Sequence, residues 1–128
     1  MRRRLGPLIA ALVLAALPGW RGSVVPGSAP HARDATALAE RGRLLIERQQ
    51  CGACHRIPGV AQADGARAPT LERFGRRSYI AGSLPNDAAT LARWIVAPRA
   101  LRPDTPMPAL GVAEADARAM AAYLLSLT

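Results

Sequence analysis

Apolar positions repeat at helical spacing in three stretches of this chain, and no run of alternating Val, Ile and Thr reads as a strand. In the first stretch Leu38, Gly42, Leu45 and Ile46 fall on one face, the recurrence expected of a helix packed on one side. Asp34 stands ahead of them as a cap for the first free N–H groups. In the second stretch Leu91, Trp94 and Ile95 face inward, Asn86 or Asp87 supplies the cap, and Pro98 stops the run because proline lacks the N–H a helix needs. The third stretch, Glu114 to Leu127, carries Met120, Tyr123, Leu124 and Leu127 as one apolar stripe. Its start is poorly capped, since Ala113 occupies the place where Ser or Thr would serve, and it is expected to fray. Between Arg56 and Leu84, Gly, Pro and Arg dominate, which predicts loops and one short helix around Arg76 to Ala81. The pattern is that of an all-α fold with three to four helices.

The N-terminus is organised differently. Arg2, Arg3 and Arg4 precede ten apolar residues from Leu8 to Leu17, which Pro18 and Gly19 interrupt, as in the charged and apolar regions of a secretory signal. Ten residues fall short of the ~20 that span a bilayer, so an uncleaved anchor is the lesser reading. Gly27-Ser28-Ala29 has the small residues of a cleavage site but is followed by Pro30. The expected organisation is a signal peptide or anchor with leader remainder over 1–29, a flexible tether over 30–36, and one folded domain over 37–128.

Cys51-Gly52-Ala53-Cys54-His55 carries the chemistry. Cys-x-x-Cys-His is the spacing of a c-type haem attachment site, in which two thiols bond covalently to one haem and the adjacent imidazole ligates the iron. The alternatives are a thiol–disulfide pair, a half zinc site or a structural disulfide. Zinc wants four Cys or His ligands, and the chain holds only Cys51, Cys54, His55 and the distant His31. A thioredoxin-like pair belongs in a strand–helix–strand context that this composition does not provide. Iron in electron carriers usually takes Met or a second His on its far side, and no His follows His55. Met107, between Pro106 and Pro108, lies in an extended loop suited to presenting a thioether, whereas Met120 lies in the apolar stripe and reads as core. If Met107 merely packs, the sixth position stays open. Trp94 either packs near the haem or serves the core.

Taken in order, these features resemble the class I, mitochondrial-type cytochromes c of bacteria, from about Ala37 to the C-terminus. The resemblance rests on Gly42 ahead of the Cys-x-x-Cys-His, on Pro69-Thr70-Leu71, on a helix ending at Pro98, on Thr105-Pro106-Met107-Pro108, and on a last helix bearing Tyr123. It implies the cytochrome c fold, three to four helices wrapped around one covalently bound haem c. It further implies that the Pro69 carbonyl accepts from the His55 ring, fixing its tautomer, and that Gly42 lets the first and last helices cross closely against Met120 and Tyr123. The loops from Tyr79 to Pro85 and from Met107 to Gly111 loosely resemble those of small cytochromes that accompany bacterial terminal oxidases.

Composition changes this picture little. Only one Phe, two Tyr and two Trp occur, with Trp20 in the leader, so a macrocycle at the centre of the domain offsets scarce aromatic packing. The net charge of +8 includes the leader; from His31 onward 13 Arg face 9 acidic residues, a balance of +4. Nucleic-acid binding is not indicated, because no recognised motif accompanies the charge. Arg56, Arg67, Arg73, Arg76 and Arg77 cluster in the loops after the attachment site and suit a basic rim steering an acidic redox partner, or a merely solvated surface. The expectation is a periplasmic, monomeric electron carrier and not an enzyme. It would stand between a donor such as a quinol–cytochrome c reductase or dehydrogenase and an acceptor such as a terminal oxidase, and touch the membrane only if the leader is retained. The rivals are a haem enzyme or a gas or peroxide sensor with an open iron, and a haem subunit of a larger respiratory complex.

Overall fold

The computed structural model describes residues 30–128; the signal and leader expected over 1–29 lie outside them. The first helix, α1, spans Pro30–Arg48, so the expected cap Asp34 lies inside it. The stretch 30–36, expected as a tether, is therefore the opening of α1. Residues 31–38 are all exposed, and Leu38, at 40% exposure, does not join the packed face expected of it. Packing begins where α1 meets its partner helix, at Ala39, Gly42, Leu45 and Ile46.

After α1 the chain turns through Gln50, in the left-handed region, into a 3₁₀ turn at Cys51–Ala53. A loop follows, folded back on itself by an antiparallel bridge between Arg56 and Asp64 and by Leu71 N–H donating to the Arg56 carbonyl at 2.8 Å. The helix expected around Arg76 to Ala81 is absent. Phe74–Arg76 forms a 3₁₀ turn, and Tyr79–Ile80 (β1) pairs antiparallel with Leu84–Pro85 (β2), Ile80 opposite Leu84. Asn86 explains the difference. Its side-chain amide donates to the carbonyls of Phe74 and Arg77 at 2.9 and 3.0 Å, and its N–H donates to Ser78. The carbonyls a helix would need are thus engaged, while Ala81 and Gly82 turn the hairpin with φ of 47° and 90°.

Helix α2 spans Ala88–Val96, capped by Asp87. Thr90 N–H and the Thr90 hydroxyl both donate to that carboxylate at 2.8 Å and hold it below the usual carboxylate range. Pro98 ends α2 as expected but also opens a short helix, α3, over Pro98–Leu101. The last helix, α4, spans Glu114–Ser126 with no side-chain cap at Ala113. Glu114 and Asp116 in its first turn face the positive end of the helix dipole, and Asp116 is bridged by Arg41 of α1 at 2.5 Å. The core lies where α4 crosses α1 and α2, with Ile46, Leu91, Ala117, Ala119, Met120 and Ala121 all nearly inaccessible. Among the described residues no helix is long and apolar enough to cross a membrane.

Candidate functional site

The apolar faces of these elements do not close completely on one another. They line a cavity of about 920 Å³, at the upper end of the roughly 300–1,000 Å³ found for small-molecule sites. Ile46 of α1, Leu91 and Ile95 of α2, and Met120 and Leu124 of α4 wall it. All six residues singled out from the sequence, Cys51, Cys54, His55, Pro69, Trp94 and Met107, line this one space.

The 3₁₀ turn after α1 brings the two cysteines to the wall. The amides of Cys54 and His55 both donate to the Cys51 carbonyl, at 3.2 and 3.0 Å, which keeps the five-residue motif tightly wound. Both thiols are free, and burial pushes the Cys51 thiol up. A thiol–disulfide catalyst needs the opposite, a thiol activated by a lowered pKa. Among the described residues no three His, Cys, Asp or Glu gather where they could hold a metal ion, so the four-ligand set of structural zinc is not formed.

His55 is fixed by the loop that follows it. The amides of Arg67 and Ala68 donate to the Cys54 carbonyl, and Leu71 N–H to that of Arg56, laying 67–71 alongside 54–56. The Pro69 carbonyl thereby comes 2.7 Å from His55 Nδ1. The carbonyl can only accept, so Nδ1 carries the proton and Nε2 is the nitrogen left to face a ligand.

The two methionine candidates both reach the cavity. Met107 is half-buried in the loop between α3 and α4, where its N–H donates to the Thr105 hydroxyl at 3.3 Å. Met120 is 2% exposed in the core, as expected, yet it also forms wall; helical spacing revealed its buried face but not what lies opposite. Trp94 is half-buried against the core beside the same cavity.

The basic rim expected from five arginines is only partly formed. Of Arg56, Arg67, Arg73, Arg76 and Arg77, only Arg67 and Arg77 line the cavity. Arg77 stacks 5.1 Å above the Phe74 ring and donates to the Thr70 carbonyl, contacts that are packing as much as charge. Sequence reasoning missed Arg102, which also lines the cavity. It missed as well the exposed apolar pair at the lining, Tyr79 at 62% and Leu110 at 44%. Only their place in the two loops around the cavity could have pointed to them.

Two free thiols, an imidazole with one nitrogen already engaged, two thioethers and apolar walls are a donor set and a space that fit haem c. A family model described as cytochrome c matches residues 39–128. The chain belongs to the cytochrome c family. This cytochrome c is 40% identical over 91 residues to cytochrome c oxidase subunit 2 of Alkalihalophilus pseudofirmus, a match covering 70% of this chain and 26% of that protein. It is 32% identical over 72 residues to cytochrome c oxidase subunit 2 of Bacillus subtilis, covering 55% of this chain and 20% of that one. The chain thus spans about a quarter or less of the length of these curated relatives. No solved structure matches it. The four helices are those of the cytochrome c fold, and the family is one of haem-dependent electron transfer.

Proposed function

We propose that this cytochrome c is a single-haem electron carrier of a respiratory chain, passing electrons to or within a terminal oxidase. The observation that carries the reading is the convergence of Cys51, Cys54, His55 and Met107 on one cavity, with the His55 ring pinned by Pro69. In this reading Cys51 and Cys54 would hold one haem c by thioether bonds, and His55 Nε2 and the Met107 sulfur would ligate its iron. Haem, when bound, supplies an iron that cycles between ferrous and ferric. The protein's own part is to orient and tune. The Pro69 carbonyl keeps Nδ1 protonated and makes Nε2 the better donor, Trp94 would pack beside the macrocycle, and the apolar walls would exclude water. A thioether ligand and a dry site both favour the ferrous form and raise the potential. No residue is assigned a catalytic role.

The acceptor side of the reading is supported by the similarity to two oxidase subunits. Tyr79 and Leu110, with Arg67, Arg77 and Arg102 along the same lining, form an apolar and basic rim suited to brief docking on an acidic redox protein. The N-terminal Arg2–Arg4 and the apolar run after them support export to the periplasm. Because both relatives are oxidase subunits, the second reading is a haem subunit held within a larger respiratory complex, retained there if the leader stays uncut.

The test is the absorption spectrum of the full chain matured with covalently attached haem. The ferric protein is expected to show the weak near-infrared sulfur-to-iron band. The band should persist in Met120→Leu and vanish in Met107→Ala. A wild type that lacks the band and takes up carbon monoxide readily when reduced has an open site, and the haem enzyme or sensor reading then replaces this one.

A further inference from the structure

Met107 lies in a loop with no regular structure of its own, so something must hold that loop against the cavity. A chain of hydrogen bonds leads from it to a fixed point. Met107 N–H donates to the Thr105 hydroxyl at 3.3 Å, and Thr105 N–H donates to the Arg102 carbonyl at 3.1 Å. The Arg102 side chain then crosses the cavity lining to the tip of the β1–β2 hairpin, where Nη1 donates to the Ser83 hydroxyl at 3.2 Å. The backbone of Arg102 is itself anchored, its N–H donating to the Pro98 carbonyl at 2.9 Å at the end of α3. At the hairpin the guanidinium lies over Gly82, where a Cβ would meet Nη1 at 3.7 Å, an ordinary van der Waals distance. Asp104 offers only a distant partner, 3.8 Å from Nε and 83% exposed. The guanidinium's useful bond is therefore the one to the hairpin.

We propose that Arg102 is a positioning residue for Met107, a latch that ties the methionine loop to the β1–β2 hairpin across the cavity. The inference rests on the axial-ligand reading above. Releasing the latch lets the loop swing away more often, so the sixth position opens to outside ligands without any change in the ligand atoms themselves.

Imidazole added to the haem-loaded ferric protein is the probe, followed by the rate at which the near-infrared band is lost. Arg102→Met should accelerate that loss about tenfold, the effect of one charged hydrogen bond, and Ser83→Ala should act in the same direction. The double variant should be no faster than Arg102→Met alone, since both remove one contact. Arg102→Lys, which keeps a donor without the fork, should recover part of the effect. Tyr123→Phe, which removes a hydrogen bond remote from the loop, should lower thermal stability without changing the rate of band loss, and this separates a latch from general loosening. Rates within about twofold of wild type for Arg102→Met, or fully additive effects of the two substitutions, overturn the proposal. A wild type with no near-infrared band overturns the ligation reading instead, and the latch with it.

Discussion

Gly42→Ala pits local propensity against packing, and the structure decides the sign. In an isolated helix the change should stabilise by about 1 kcal/mol, because glycine is the poorer helix former. Here a Cβ on residue 42 would lie 1.9 Å from the Ala119 carbonyl oxygen, 2.4 Å from the Ala119 carbonyl carbon and 2.9 Å from Met120 N. All three atoms are backbone, so no side chain can rotate away, and α1 and α4 must separate at their crossing. That loosens Leu45, Ile46, Met120 and Tyr123, all at most 9% exposed. Overpacking of this kind costs about 1–3 kcal/mol and sometimes more. Backbone as the obstacle puts Gly42 at the upper end, about 3 kcal/mol, which leaves a net loss near 2 kcal/mol after the propensity gain. For a domain of this size that is a fall in Tm of about 8–16 °C. Thermal unfolding of the haem-loaded protein, followed by far-ultraviolet circular dichroism, measures it. A variant as stable as wild type, or more so, would refute the claim that this crossing is set by the absence of a side chain.

Two further outcomes follow from hydrogen bonds at the ends of the fold. The Tyr123 hydroxyl donates to the Pro58 carbonyl at 2.5 Å, so Tyr123→Phe should cost about 1 kcal/mol in guanidinium unfolding. Burial pushes the Tyr123 phenol up; a raised folded value means that its contribution is whole below the ordinary ~10 and is lost as pH rises through the folded value. The wild type should therefore lose stability in alkali more steeply than Tyr123→Phe, and equal slopes would count against it. Asp87 is the opposite case. Its carboxyl is held low by Thr90, so its contribution is present above the ordinary ~3.9 and disappears as pH falls through the folded value. Asp87→Asn, which keeps a capping oxygen, should flatten the acid limb of a Tm-against-pH curve, and an unchanged limb would show that the cap carries no charge-dependent stability.

The parts of this molecule legible in the sequence are those that depend on spacing or on backbone chemistry. Three helices followed from apolar recurrence, and the residues that meet at the cavity from a five-residue motif and a proline-flanked methionine, because each is local. The hairpin at Tyr79–Pro85 was not legible. It depends on an alanine, Ala81, taking φ of 47°, a region usually left to glycine, and on Asn86 reaching carbonyls nine and twelve residues back. Leu38 shows a second limit. Its helical phase is right, but packing on α1 begins at Ala39 and is closest at Gly42 against Ala119, so the same face is packed at one end and wet at the other. Arg102 shows a third, since an arginine in a loop has no period to betray it and acquires meaning only when the hairpin is placed opposite.

The cavity also constrains the order in which such a protein can be made. Its walls belong to the core itself, since Ile46, Leu91, Ile95, Met120 and Leu124 are all at most 7% exposed. The walls come from α1, α2 and α4, and the chain has too few aromatic residues to fill the space itself. On the proposed reading, a haem held there would be part of the core. Cys51 and Cys54 stand on the turn that immediately follows α1, early in the folded chain, so attachment there can precede the arrival of α2 and α4. On the proposed reading the thiols would meet the macrocycle on an open chain, and the remaining helices would then close around it.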